Sequence, residues 1–220
     1  MIRAILFDLD ETLIDRRETM RLFLLDQHQR FSELHSCNEK EYAEACLRHQ
    51  QNGYADKHTA FTLACLDLGF TNKGLVSGIF EDFKNCYGNL PVLFAGAYET
   101  LSMLSLSYRL GLVSNGRAKG QLAKIRASGI SEFFSSVCIS ESVGCKKPNH
   151  EIFLKCLHEL SVSPSEAIFV GDNPQADIEP AKSLGMGAVW LRNKYFSEPE
   201  FCDAVITNIA ELPNVLKRYA

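Results

Sequence analysis

Short apolar runs recur along the chain and alternate with segments of helical spacing. The runs are rich in branched residues, which is typical of strands buried on both faces. They cover residues 2–7, 110–113, 137–139, 167–170, 188–191 and 204–206. Between most of them, apolar residues recur three and four positions apart, as at Tyr98, Leu101 and Leu104. The alternation predicts an α/β fold with a Rossmann-like, doubly wound parallel sheet, whose ligands bind at the carboxyl ends of the strands.

The segment between the first and second runs has no strand pattern. It contains helix-like stretches at residues 16–34, 40–51, 55–68 and 73–86, separated by breakers such as Asn52-Gly53. We therefore predict two domains. Residues 1–14 and 89–220 form the α/β core, and residues 15–88 form an inserted, all-helical domain.

Composition and charge exclude several classes of function. The chain has 220 residues, of which 46% are hydrophobic and 23% charged, so it is long enough for a full core. The net charge of -4 and the lack of a local basic patch argue against nucleic acid as a partner. No apolar run approaches the roughly 20 residues that span a bilayer, so no membrane association is expected. The eight cysteines contain no CxxC pair, which favours free thiols in a reducing compartment, and we predict a cytoplasmic protein.

Two aspartates, Asp8 and Asp10, directly follow the first apolar run. Crowded carboxylates repel each other unless a cation or a shared proton intervenes. A hard divalent cation such as Mg2+, which takes oxygen ligands, would remove that repulsion. A surface turn or helix cap that contains two acids is the alternative, but the position at the end of a buried strand favours a binding site.

Three later elements also lie at a strand end or at the start of the next helix. Ser114, in the sequence LVSNG, and the amides after it are able to hold a phosphate, although Ser-Asn-Gly is also a common turn. Lys147 precedes a proline and a helix, where it is able to neutralise an oxyanion, and exposed lysines are common. Asp172 and Asp177 form a second acidic pair, and Asp-Asn-Pro is also good turn chemistry.

Together and in this order, the four elements resemble those of the haloacid dehalogenase-like (HAD) superfamily of hydrolases. The helical insert directly after the first element resembles the C1-type cap of its subfamily I. The matching residues are Asp8, Asp10 and Thr12 for the DxDxT pattern, Ser114, Lys147, and Gly171, Asp172 and Asp177 for the GDxxxxD pattern.

The resemblance implies a catalytic role for Asp8, Asp10, Ser114 and Lys147. Asp8 would attack the phosphorus and form an aspartyl-phosphate, and Asp10 would protonate the leaving alcohol and then activate water. Ser114, Lys147 and the amides near Asn115 would bind the phosphoryl oxygens of the substrate.

The resemblance also implies a magnesium site. Mg2+ would be held by the Asp8 carboxylate, the main-chain carbonyl of Asp10 and the Asp172 carboxylate. Asp177 would support the ion through water or through Lys147.

Within the superfamily, the resemblance favours a Mg2+-dependent phosphatase, a phosphoric monoester hydrolase. Its partner would be a small phosphorylated metabolite, such as a nucleotide, a sugar phosphate or a phosphoglycolate-like compound. Dehalogenases lack the second aspartate and need no metal, so Asp10 and Asp172 argue against halide chemistry. A sugar phosphomutase of the same superfamily and a non-catalytic regulatory or interaction module are the alternatives. Both a monomer and a homodimer agree with the sequence.

Overall fold

The computed structural model describes residues 1–50 and 55–219, which form two compact units. One unit comprises Met1–Asp15 and Leu93–Ala220, and the other comprises Arg16–Val92. The breaker Asn52-Gly53 that the sequence indicated lies outside the described residues.

The first unit is built on a six-stranded parallel sheet. Its strands are β1 (Ala4–Phe7), β2 (Arg109–Ser114), β3 (Phe134–Ile139), β4 (Ala167–Gly171), β5 (Gly187–Leu191) and β6 (Ala204–Ile206). Their order across the sheet is β3-β2-β1-β4-β5-β6. The order reverses beside β1, as in a doubly wound sheet, so the predicted fold class is confirmed.

Alternate residues of β1 face opposite layers of the core. Ile5 and Phe7 pack in one apolar cluster, whereas Ala4 and Leu6 pack in a second cluster on the other face. All four residues are fully buried. The period of two along an extended chain thus explains why the strand reads as an unbroken apolar run.

In the part of the chain that the structure describes, six α-helices accompany the sheet and four α-helices belong to the second unit. Those of the second unit are α1 (Arg16–Arg30), α2 (Glu39–His49), α3 (Lys57–Asp67) and α4 (Lys73–Cys86). Those of the sheet unit are α5 (Ala97–Ser105), α6 (Ala118–Ala127), α7 (Ser140–Val143), α8 (His150–Glu159), α9 (Glu179–Ser183) and α10 (Leu212–Leu216). Among the described residues, no helix is both long and apolar enough to cross a bilayer.

The helical unit differs from the sequence prediction at its first helix. The predicted helix over 16–34 ends at Arg30, because Phe31 is extended and a short 3-10 turn follows over Ser32–Ser36. Serines favour such turns because their hydroxyls compete for backbone groups. At its other end the unit extends to Val92, whose N–H donates to Thr19 Oγ1 at 2.9 Å.

A buried polar network lies inside the helical unit. Gln27, which is fully buried, donates through Nε2 to the Ile79 carbonyl at 2.8 Å and to Asp82 Oδ2 at 2.7 Å. Its Oε1 accepts from the Tyr42 hydroxyl at 2.6 Å. Since an unpaired buried polar group is costly, these bonds specify how α1, α2 and α4 pack together.

Replacement of Gln27 with methionine, which has a similar shape, should reduce the free energy of unfolding by about 2–3 kcal/mol. The loss is expected because the Tyr42 hydroxyl and the Ile79 carbonyl would lose a buried partner. Urea unfolding measures the change, and Gln29→Met, at an exposed position of the same helix, is the control. Equal stability of the two variants would show that the network contributes no net stability.

Candidate active site

The sheet brings three of the predicted residues to one edge. Phe7 of β1 pairs with Leu112 of β2 on one side and with Val170 of β4 on the other. Asp8 directly follows Phe7. Ser114 lies two residues after Leu112, and Asp172 lies two residues after Val170. Because all three strands are parallel, their carboxyl ends place these polar side chains at the same edge.

Three carboxylates meet there. Asp8, Asp172 and Asp177 each offer an oxygen, and these oxygens all lie within 4.8 Å of one another. All three residues are buried, and Asp177 is the most buried, with 1% of its surface exposed. Asp177 comes from the π-helical turn Pro174–Ile178 that follows β4. A Cβ on Gly171 would lie 2.4 Å from Asp177 Oδ2, so the close approach of this turn requires glycine at the end of the strand.

Lys147 is the cation of the cluster. Its Nζ lies 2.6 Å from Asp8 Oδ1 and 2.7 Å from Asp177 Oδ1, and the side chain is buried. The Asn115 side chain holds the backbone of Lys147 from both sides: Nδ2 donates to the Lys147 carbonyl at 3.0 Å, and Oδ1 accepts from the Lys147 N–H at 2.8 Å. Sequence analysis predicted that the amides near Asn115 bind phosphate. In the structure, the Asn115 side chain holds the backbone of Lys147.

Burial changes the protonation of these groups. It raises the pKa of Asp8 to about 7, against the opposing effect of Lys147, and the Asp177 and Asp10 charges add to the rise. The pKa of Asp172 is raised to about 9 by burial and by the charges of Asp177 and Asp8. Burial alone would lower the pKa of Lys147, but the Asp177 and Asp8 carboxylates outweigh it, so the lysine stays charged.

The cluster fits a divalent cation. When all three carboxylates are ionised, they face the single ammonium of Lys147, which leaves an excess of two negative charges in a buried space. Within residues 1–50 and 55–219, the buried Asp177 Oδ1 has no hydrogen-bond partner, although Lys147 Nζ lies 2.7 Å from it as an ion-pair partner. Clustered carboxylate oxygens are the ligands that Mg2+ prefers.

Two residues that the sequence analysis missed hold Asp172 in place. Asn193 Nδ2 donates to Asp172 Oδ2 at 2.7 Å, and Trp190 Nε1 donates to the Asp172 carbonyl at 2.7 Å. Trp190 lies on β5 directly beside Gly171 of β4, and Asn193 follows two residues after the end of β5. The local signal for Asn193 is its place as a polar residue just past the end of β5. Its contact with Asp172 depends on the strand order, which places β5 beside β4.

The Asp10 carboxylate is bound by two side chains of α6. Its Oδ1 accepts from Lys124 Nζ at 2.6 Å, and its Oδ2 accepts from Gln121 Nε2 at 2.9 Å. The same Gln121 nitrogen donates to Ser114 Oγ at 2.7 Å. Sequence analysis singled out neither Gln121 nor Lys124. They lie three residues apart on α6, the helix after β2. No sequence motif marks a lysine on an amphipathic helix as one that will be buried.

The fold and the site together define a class of protein: a Rossmann-like α/β hydrolase with a carboxylate and lysine cluster at the end of its central strand. The chain belongs to the haloacid dehalogenase-like hydrolase family, whose family model matches residues 5–191. The chain is 30% identical to a glyceraldehyde 3-phosphate phosphatase of Pyrococcus furiosus, over 99% of this chain and 94% of that protein.

Solved structures share the fold. A HAD phosphatase from Thermococcus onnurineus superposes with a TM-score of 0.67 at 27% identity, covering 98% of both chains. A defluorinating L-2-haloacid dehalogenase, Rha0230, superposes with a TM-score of 0.75 at 18% identity, covering 98% of this chain and 95% of that chain. Likeness at this lower identity shows the fold alone.

The crowding of carboxylates predicts that the metal-free protein gains stability when one charge is removed. The raised pKa of Asp172 means that its contribution to stability is present below its unfolded value near 4 and is lost as the pH rises toward about 9. At about pH 8, Asp172→Asn should therefore raise the melting temperature of the metal-free protein by about 2–8 °C. The melting temperature of the variant should also change less with pH than that of the wild type.

Differential scanning calorimetry with a chelator present measures this effect. Asp67→Asn, at an exposed ion pair in the helical unit, should change the melting temperature little, because surface pairs contribute about 0–1 kcal/mol. A lower melting temperature for Asp172→Asn at every pH would contradict the proposed repulsion.

Proposed function

We propose that this protein is a Mg2+-dependent phosphatase that hydrolyses a small phosphomonoester through an aspartyl-phosphate. The observation that carries the proposal is the position of Asp8, which directly follows the central strand β1, contacts Lys147 and shares a cluster with Asp172 and Asp177. The similarity to a glyceraldehyde 3-phosphate phosphatase over nearly the whole chain supports a short phosphorylated metabolite as the substrate.

Asp8 is the nucleophile of the first step. A carboxylate oxygen attacks phosphorus, an oxygen–phosphorus bond forms, and the bond to the ester oxygen breaks. Asp10 gives its proton to the leaving alcohol. In the second step Asp10 takes a proton from water, the water oxygen attacks phosphorus, and the bond to Asp8 breaks to release inorganic phosphate. Such proton transfer contributes about 10²–10⁴ in rate.

Four residues would hold the metal ion in this proposal. The Asp8 and Asp172 carboxylates and the Asp10 main-chain carbonyl are its ligands, with Asp177 in support through water or Lys147. When bound, Mg2+ supplies positive charge that offsets the carboxylates and the incoming phosphoryl group. Asn193 and Trp190 keep Asp172 aimed at the cluster, because they donate to its carboxylate and its carbonyl.

Lys147, Ser114 and the backbone amide near Asn115 bind the phosphoryl oxygens. Lys147 stays charged between Asp8 and Asp177, so it is ready to stabilise charge that develops on the phosphoryl group. Its backbone is fixed by Asn115, which limits the movement needed during reaction. Ser114, at the end of β2, is held by Gln121.

In this proposal the helical unit Arg16–Val92 acts as a substrate-selecting cap of the C1 type. The segments before and after it in the sequence form the catalytic domain. The cysteines at all eight positions are free thiols, which supports a reducing, cytoplasmic setting. The partner is a small phosphorylated metabolite, not nucleic acid or membrane, and the protein acts as a monomer or a homodimer.

Asp8→Asn should reduce phosphate release by at least about 10³-fold, because the amide cannot act as the nucleophile. Phosphate release is measured on glyceraldehyde 3-phosphate, phosphoserine, phosphoglycolate, a sugar phosphate, a nucleoside monophosphate and an aryl phosphate, with Mg2+ and with a chelator.

The matched control is Asp67→Asn, the same change at an exposed site, which should retain wild-type rates. Retained turnover in Asp8→Asn would refute the assignment of Asp8 as the nucleophile. Isomerised sugar phosphate without net phosphate release would instead indicate a mutase, and no reaction of any ester would indicate a non-catalytic module.

A further inference from the structure

Helix α6 buries two polar side chains that none of the motifs explains. Lys124 is 3% exposed and Gln121 is 4% exposed. Lysine is almost never buried to this extent unless it is paired, because an isolated buried ammonium is costly. The two residues lie three positions apart, so they share one face of the helix.

Both side chains contact Asp10. Lys124 Nζ lies 2.6 Å from Oδ1, and Gln121 Nε2 lies 2.9 Å from Oδ2. Each oxygen of the carboxylate therefore accepts from a different donor on the same helix. Two contacts on opposite oxygens restrict the rotation of a carboxylate far more than a single contact does, so α6 determines the direction in which Asp10 points.

Gln121 extends this contact to the phosphate-binding side of the site. Its Nε2 also donates to Ser114 Oγ at 2.7 Å and approaches the Asn115 carbonyl at 3.3 Å. The chain passes close to this side chain at Gly116, where an added Cβ would lie 3.2 Å from Gln121 Cγ. One amide group thus links Asp10 at the end of β1 with Ser114 at the end of β2.

We propose that Lys124 and Gln121 are positioning residues for the hydrolysis: Lys124 orients the Asp10 carboxylate, and Gln121 couples its position to Ser114. This inference rests on the proposed function, in which Asp10 transfers protons and Ser114 binds the phosphoryl group. The physical reason is the sensitivity of catalysis to geometry, since a misplacement of about 1 Å costs about 10²-fold in rate.

The alternative is an ion pair that only stabilises the packing of α6. Replacement of one partner of a buried pair is destabilising in either case, so a change in stability alone does not separate the two explanations. A kinetic double-mutant cycle does, because two residues that act through one step are not additive.

The cycle compares wild type, Lys124→Met, Asp10→Asn and the double variant, with kcat and KM measured from phosphate release. Lys124→Met should lower kcat about 10–100-fold and change KM by less than about threefold, because the proton-transfer group is misplaced while phosphate binding remains. In the double variant, kcat should equal that of Asp10→Asn alone. Arg126→Met, which removes an exposed cation from the same helix, is the control.

Gln121→Met provides a second arm, measured in the same way, in case Lys124→Met melts below the assay temperature. It should lower kcat and also raise KM, since it removes the donors to both Asp10 and Ser114. Its loss of kcat should likewise disappear in an Asp10→Asn background.

The outcomes separate the inference from the proposed function. Phosphate release by wild type together with losses that multiply in the double variants would overturn the positioning role and leave the phosphatase intact. Wild-type kcat in folded Lys124→Met would do the same. No phosphate release from any ester by wild type would overturn both.

Discussion

The repulsion among three buried carboxylates is the constraint on which the rest of this structure depends. Asp8, Asp172 and Asp177 lie together, and Lys147 pairs with Asp8 and Asp177. Burial raises the pKa of Asp8 and of Asp172. Like charges at this distance separate unless covalent and hydrogen-bonded structure holds them. The sheet provides that restraint, because β1 is hydrogen-bonded on both sides and fully buried. The free energy of apolar burial in the strands thus offsets the cost of an acidic site.

Much of the site is organised by side chains that hold other groups. Asn115 binds both backbone groups of Lys147, Asn193 binds the Asp172 carboxylate, and Trp190 binds the Asp172 carbonyl. These contacts are buried or partly buried, and each reduces the freedom of a charged residue. A site arranged before substrate arrives needs less reorganisation during reaction, which is the main source of electrostatic stabilisation in enzymes.

The fold and the reaction are separate levels of description in this family. The same architecture occurs in a dehalogenase at a TM-score of 0.75 and in a phosphatase at 0.67, so overall shape does not select the chemistry. In the proposed function, the acidic residues make that distinction. A cluster with Asp172 and Asp177 beside Asp8 suits a divalent cation and a phosphoryl group, and Asp10 adds a group able to transfer protons.

The amino-acid sequence determined the alternation of strands and helices, the helical insertion and the polar residues at three strand ends. Each of these is a local property: periodicity reports which face is buried, and the end of an apolar run marks where a strand stops. Tertiary structure decided the partners. Lys124 is 114 positions from Asp10, and Asn193 is 21 positions from Asp172, yet both pairs are in contact. The partner of a buried charged side chain is a group that the order of the strands brings close to it. No local sequence pattern contains information about that distance.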